Sequence, residues 1–269
     1  MNLIKSEIYF RISIMIKTIF SGSLCALGLI AMTSTHAELS YEQELQQGCA
    51  KLKQYANNGK KLYDQKQYKK ALEQFKNQAS WSQFCMLNAD DTTVKVSDRD
   101  VAIAYNNVGL TYAKMNQPLW ARAWYLLNIR DEIESQSTRF NLQQLPKPKP
   151  STDLSGQYVR YAGFGEWNHL TVKKNKVSYQ IEFDGLYMGI RSLIYGPNMG
   201  QFSTSMPRSK KQAVYRYEDC RIDLNFKRDT TSGNSIKVTQ NDGESGCGFG
   251  HNVYADGVYF KVENNADLK

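Results

Sequence analysis

The sequence predicts a multidomain α + β chain, with N-terminal α-helical hairpins followed by an all-β antiparallel barrel or sandwich. Three observations predict it. Apolar residues recur every three or four positions from Tyr41 onward, but every second position in stretches beyond residue 154. Between the two regimes lies Leu145-Pro146-Lys147-Pro148-Lys149-Pro150-Ser151-Thr152, whose alternating prolines forbid helix and favour an extended, stiff spacer. The cysteines divide in the same way, with Cys49 and Cys85 before the prolines and Cys220 and Cys247 after them. The expected boundaries are a secretory signal at residues 1–37, a helical domain at 38–145, a linker at 146–153 and a β domain at 154–269.

The signal reads best from Met15. Lys17 supplies the positive start, Ile19 to Met32 is an apolar run too short to span a bilayer, and Thr33 to Ala37 are mostly small residues. Cys25 has Gly22 three residues upstream, where a lipoprotein signal carries Leu, so lipidation is not expected. The mature chain is therefore expected to be exported, periplasmic or extracellular, without stable membrane insertion. Its four cysteines form an even set in an oxidising compartment, and pairing within each half needs no contact between halves. That gives Cys49–Cys85 and Cys220–Cys247. Cleavage removes Lys5, Arg11, Lys17 and Glu7, lowering the net charge from +8 to +6. The excess is scattered in short clusters such as Lys173-Lys174-Lys176 and Arg208-Lys210-Lys211, which read as solvated strand ends or as attraction to an acidic partner. Export excludes nucleic acid as the expected partner.

Tyr41 to about Asp64 favours helix, and Asp64-Gln65-Lys66-Gln67 is a turn almost equidistant from Cys49 and Cys85. Folding that hairpin brings the two cysteines to its open end. Gly59, Leu62, Ala71 and Phe75 are matched at the same spacing by Gly109, Tyr112, Ala121 and Tyr125. A small residue followed by large ones at this spacing lets two helix axes approach closely. With Tyr68 in the first copy, the pattern resembles a tetratricopeptide repeat over about residues 45–130. Departures are Pro118 in place of Tyr, and Gln78 and Asn128 where the family prefers Ala. The glycines also stand 50 residues apart rather than the family's 34. The surplus residues are expected to prolong the second helix and form a loop at Asn88 to Thr92, pinned by the disulfide. Ile129 to Leu145 is expected to cap the last repeat. Closing a loop of this length contributes about 4 kcal/mol in the chain-entropy model.

Beyond the prolines, Val177, Tyr179, Ile181 and Phe183 alternate with polar residues, as do Cys220, Ile222, Leu224 and Phe226. Such alternation marks half-buried antiparallel strands. Strands are expected near 157–161, 169–173, 177–183, 188–194, 201–205, 213–217, 220–226 and 235–240, with a ninth at 257–262. Breaks are expected at Asn175, Asp184-Gly185, Gly196-Pro197-Asn198 and Asp229–Asn234.

No H-E-x-x-H, C-x-x-C, G-x-S-x-G, S-x-x-K or phosphate-binding G-x-x-x-x-G-K occurs. With His169 and His251 as the mature chain's two histidines and all cysteines paired, no metal, cofactor or catalytic residue is expected. Two loops carry the candidate binding residues. Gly163-Phe164-Gly165-Glu166-Trp167-Asn168-His169 offers Glu166, Trp167 and His169, where Trp stacks on a sugar or peptide, or else caps a barrel end. Gly243 to Gly257 offers Glu244, His251 and Asp256, or else a tight turn anchored at Cys247. The tetratricopeptide resemblance implies a groove for a protein or peptide partner, with Tyr105, Asn106 and Tyr112 as its candidates. The expected function is therefore that of a non-catalytic binding or adaptor protein of the cell envelope. Alternatives are an inhibitor or immunity protein that plugs an envelope-directed hydrolase with the Gly248–Asp256 loop, or a glycan- or peptide-acting enzyme with Glu166, His169, His251 and Asp256 as candidates, Glu166 pairing with Asp184 or Asp256 for glycoside cleavage.

Overall fold

The computed structural model describes residues 40–130, 136–149, 151–189, 191–229, 232–243 and 246–266. The expected signal, residues 1–37, lies outside them.

The helical half begins with α1 (Tyr41–Ala50) and α2 (Leu52–Asp64), nearly continuous across Lys51. A capping box starts α1: Ser40 Oγ accepts from the Gln43 N–H while Gln43 returns a bond to the Ser40 N–H. α3 (Tyr68–Leu87) is the prolonged helix expected from the surplus residues, and the chain turns after it at Asn88. A second capping box, Ser97 with Asp100, starts α4 (Asp98–Lys114). α5 (Pro118–Arg130) and α6 (Gln136–Gln144) follow.

The two hairpins share one turn geometry. Lys66 and Asn116, each seven residues after its glycine, take positive φ angles of 60° and 59°. The Gln67 N–H donates to Leu62 O and the Gln117 N–H to Tyr112 O, at 2.9 and 3.0 Å. The glycines sit where the spacing placed them: a Cβ on Gly59 would overlap the Phe75 ring, and one on Gly109 the Tyr125 ring. Cys49 and Cys85 are bonded at the open end of the first hairpin. The loop that follows is tied to α1, with Gln46 Oε1 accepting from the Thr93 N–H at 3.1 Å and Tyr41 Oη donating to Asp91 at 3.0 Å.

The β half is an eight-stranded antiparallel sheet curled into a nearly closed barrel. Its strands are β1 (Gly156–Gly163), β2 (Glu166–Lys174), β3 (Ser178–Tyr187), β4 (Asn198–Pro207), β5 (Gln212–Tyr217), β6 (Cys220–Asp229), β7 (Gly233–Asn241) and β8 (Gly257–Glu263). Their order is β4-β3-β2-β1-β8-β7-β6-β5. The edges meet where Thr204 Oγ1 on β4 donates to Val214 O on β5 at 2.8 Å and the Phe202 and Tyr215 rings stack at 4.7 Å. The expected alternation fills the barrel: Tyr179, Ile181 and Phe183 of β3 and Cys220, Ile222, Leu224 and Phe226 of β6 all point into one core. Cys220 and Cys247 are bonded.

Two strand expectations need correction. The strand expected at 188–194 is absent among the described residues; Ser192–Tyr195 form a short helix, α7, ending at Gly196 with φ +76°. The reason is that β3 does not break at Asp184-Gly185 but runs to Tyr187, with Gly185 opposite Gly200 in β4. The reversal is thereby displaced to the residues after Tyr187. Gly185 is required by close approach rather than by a turn, because a Cβ there would overlap the Phe183 ring.

The described residues form one compact unit. β1 explains how. Tyr158 points into the barrel, while Val159 and Tyr161 on its opposite face, with Trp167 and Val262, belong to the core of α3, α4 and α5. The prolines therefore mark a change of secondary structure, and a common core crosses them. Pro146 O itself accepts from the Arg122 guanidinium at 2.8 Å. Among the described residues no helix is long and apolar enough to cross a membrane.

Candidate functional site

The β1–β2 turn is built to dock on α3. Phe164 and Gly165 take positive φ angles of 53° and 81°, and a Cβ on Gly165 would overlap Ser80 Oγ. Gln83 Oε1 on α3 accepts from the Phe164 N–H and from Tyr161 Oη, both at 2.9 Å. Tyr161 Oη in turn accepts from the Gly165 N–H at 2.8 Å and from Tyr105 Oη at 3.3 Å. The Phe164 ring lies 4.2 Å from Phe84, beside the Cys49–Cys85 bridge. The disulfide thus stiffens the helix on which the barrel hairpin rests.

This docking opens a cleft of about 640 Å³ between the helical layer and the barrel. Its wall is aromatic. Tyr112 and Trp120 stack at 5.6 Å with 14° between planes, and Trp167 meets Trp120 edge-on at 5.7 Å. Trp120 is oriented by its Nε1–H, which donates to Glu263 at 3.2 Å. Charged groups form the rim: Glu73 and Glu166 are exposed, and Lys76 Nζ lies 5.7 Å from the centre of the Tyr112 ring. His169 lines the same cleft, facing Asp184 across the β2–β3 ladder. Burial pushes its pKa below the usual 6.5 against the opposing pull of Asp184, so it is neutral at pH 7. A stacked aromatic wall under a mixed-charge rim suits an amphipathic ligand held by ring contacts and oriented by ion pairs.

Tyr112, Glu166, Trp167 and His169 are thus brought together from opposite halves of the chain. Tyr105 and Asn106 are not part of this wall. Tyr105 is 1% exposed and packs against Trp124 and Tyr161, so the barrel occupies the face on which it stands. Asn106 is buried, with Nδ2 donating to Thr138 Oγ1 at 2.7 Å. His251 and Asp256 lie outside the cleft, on a loop whose Phe249 packs on Phe183 and Phe202. That loop is tied down: Asn198 Nδ2 donates to His251 O at 2.8 Å, and Asp256 accepts from the Gln240 N–H at 3.1 Å. Glu244 lies outside the described residues. Among the described residues no cluster of His, Cys, Asp or Glu could hold a metal.

Sequence reasoning missed Trp120, Glu73 and Lys76. A signal for Trp120 existed: it stands eleven residues after Gly109, and the first repeat has Lys70 at the equivalent place. A Trp replacing a solvated Lys at the start of a repeat helix marks a surface that is no longer solvent.

No family model, curated protein or solved structure matches the chain.

Proposed function

We propose that this chain is a non-catalytic binding protein of the periplasm, and that it seats a segment of a protein partner in the cleft between its tetratricopeptide-like hairpins and its barrel. The observation that carries the reading is the convergence of Tyr112, Trp120 and Trp167 with Glu73, Lys76 and Glu166. Aromatic groups pre-positioned by edge-to-face contacts lose little conformational entropy on binding, and charges of both signs at the rim favour a defined orientation. His169, half-buried and neutral, adds an uncharged ring to the same wall.

The test is site-specific photocrosslinking in intact cells. A photoreactive residue at Asn77, exposed in the cleft, should trap a defined protein that the same residue at Tyr195, exposed outside it, does not. Combining the probe with Glu73→Lys and Glu166→Lys should abolish the adduct. An adduct unaffected by these reversals, or none specific to position 77, would sink the reading.

A further inference from the structure

Lys173-Lys174-Lys176 and Arg208-Lys210-Lys211 stand apart in sequence, but the sheet carries both to one end of the barrel. The first lies at the β2–β3 turn and the second at the β4–β5 turn, where the Arg208 N–H donates to Val177 O at 3.1 Å. The Arg208 guanidinium also donates to Lys176 O at 3.3 Å. On the other side the Phe226 N–H donates to Lys211 O at 2.9 Å, which sets the second cluster beside Lys227 and Arg228 at the β6–β7 turn. Three turns therefore form one basic rim.

Two of its cations are neutralised locally, Lys173 by Glu182 at 2.8 Å and Lys174 by Asp153 at 2.7 Å. Asp229, in the β6–β7 turn, accepts from the Ser232 N–H at 2.7 Å. Lys176, Arg208, Lys210, Lys211, Lys227 and Arg228 are exposed, and among the described residues none of them makes an ion pair. The opposite end of the barrel has the other sign. Glu166, Asp184, Glu218, Asp219 and Asp256 are exposed there, alongside Arg191 and Arg216. The charge scattered along the sequence is thus sorted by the fold into two unlike ends.

We propose that the basic end docks on an anionic phospholipid surface. Cations on the tips of three turns around a barrel end form a ring, which meets a plane of lipid phosphates at several points at once. Each cation held near such a plane strengthens binding, and together they do so without any single pocket. Val177, 79% exposed at the tip of the β2–β3 turn, supplies an apolar group beside Lys176 and Arg208. It can pass below the headgroups while the flanking cations stay at the level of the phosphates. Docking by this end turns the β1–β2 turn, at the opposite end, away from the lipid, so the cleft beside it stays open.

The experiment is cosedimentation of the mature chain with vesicles of equal parts phosphatidylglycerol and phosphatidylcholine. Vesicles of phosphatidylcholine alone are the control, and poly-glutamate at matched charge is the second arm. The chain should bind the anionic vesicles and not the neutral ones, and binding should weaken steeply as added salt screens the surface. Lys210→Gln with Lys211→Gln removes two cations, each contributing about fivefold, and should weaken binding about 25-fold. Lys69→Gln with Lys70→Gln, both exposed on α3, lowers the net charge equally and should leave binding within about twofold. The emission of Val177→Trp, measured against the wild-type spectrum, should move to the blue on anionic vesicles, as for an indole entering the headgroup layer. The proposal is overturned if the wild-type chain does not bind anionic vesicles at low salt, or if the two lysine pairs lose binding equally. Poly-glutamate bound as tightly as the vesicles, or a Val177→Trp emission unmoved by them, overturns it as well and points to an acidic protein partner.

Discussion

Replacing Gly109 by alanine tests whether the repeated glycines hold the helices at contact distance. A Cβ at Gly109 would overlap ring atoms of Tyr125, which is 1% exposed and has no solvent side to retreat to. Overpacking of this kind costs about 1–3 kcal/mol, whereas Gly→Ala inside a helix returns up to about 1 kcal/mol. The clash prevails, and the net loss is about 1–2 kcal/mol. In a unit of this size each kcal/mol moves Tm by about 2–4 °C, so thermal unfolding should shift down by about 2–8 °C. Gly59→Ala should cost less, because Phe75 is 5% exposed and stands nearer the end of the stack. The decisive comparison is Gly109→Ala in a Tyr125→Val background, where the overlapping ring atoms are gone. There the propensity gain acts alone and the substitution should stabilise by about 0.5–1 kcal/mol. A Gly109→Ala chain that is more stable than wild type, or one equally destabilised without the ring, would refute the reasoning.

Two further outcomes follow from the cleft and from the bridge beneath it. His169 is held below its ordinary pKa of 6.5 by burial, so as pH falls through that value the unfolded chain takes up its proton first. Its contribution is therefore complete above about pH 6.5 and declines below it; the gap in urea stability between wild type and His169→Gln should narrow from pH 7 to pH 5, and a constant gap would exclude burial as the cause. Replacing Cys49 and Cys85 by alanine opens a loop with a sequence separation of 36 residues. About 4 kcal/mol is lost in the chain-entropy model, and calorimetry should show Tm falling by at least about 8 °C.

Strand positions in β3 and β6 were legible because each buries one face only, which leaves the two-residue alternation intact in Tyr179, Ile181 and Phe183 and in Ile222, Leu224 and Phe226. β1 is legible as a strand but not in its role. Its burial on both faces, with Tyr158 inward and Val159 outward, depends on helices more than 30 residues away in sequence. Asp184-Gly185 looked like a turn because composition does not distinguish a glycine that reverses the chain from one that clears a neighbouring ring. In the candidate site, Glu166, Trp167 and His169 stood out as unusual residue types in one loop, and Tyr112 through the repeat spacing. Trp120, Glu73 and Lys76 join them only through the docking of the β1–β2 turn, a long-range event that no local pattern encodes.

The common core also decides how the two halves depend on each other. Separated from the barrel, the helices would expose Tyr105 and Trp124; separated from the helices, the barrel would expose Val159, Tyr161 and Trp167. These aromatic residues form one continuous set of edge-to-face contacts at 5.1–5.8 Å across the joint. Buried aromatic area of this kind dominates association. Cutting the chain at a specific protease site inserted after Lys149 should therefore leave the halves together in gel filtration. Gln83→Leu removes the acceptor for the Phe164 N–H and the Tyr161 hydroxyl, costing about 2–3 kcal/mol where donors are left unpaired. In the cut chain that substitution should increase dissociation of the halves. If the cut wild-type halves instead part at micromolar concentration, the joint is too weak to hold Trp167 against Trp120, and a cleft formed between them could not be a preorganised site.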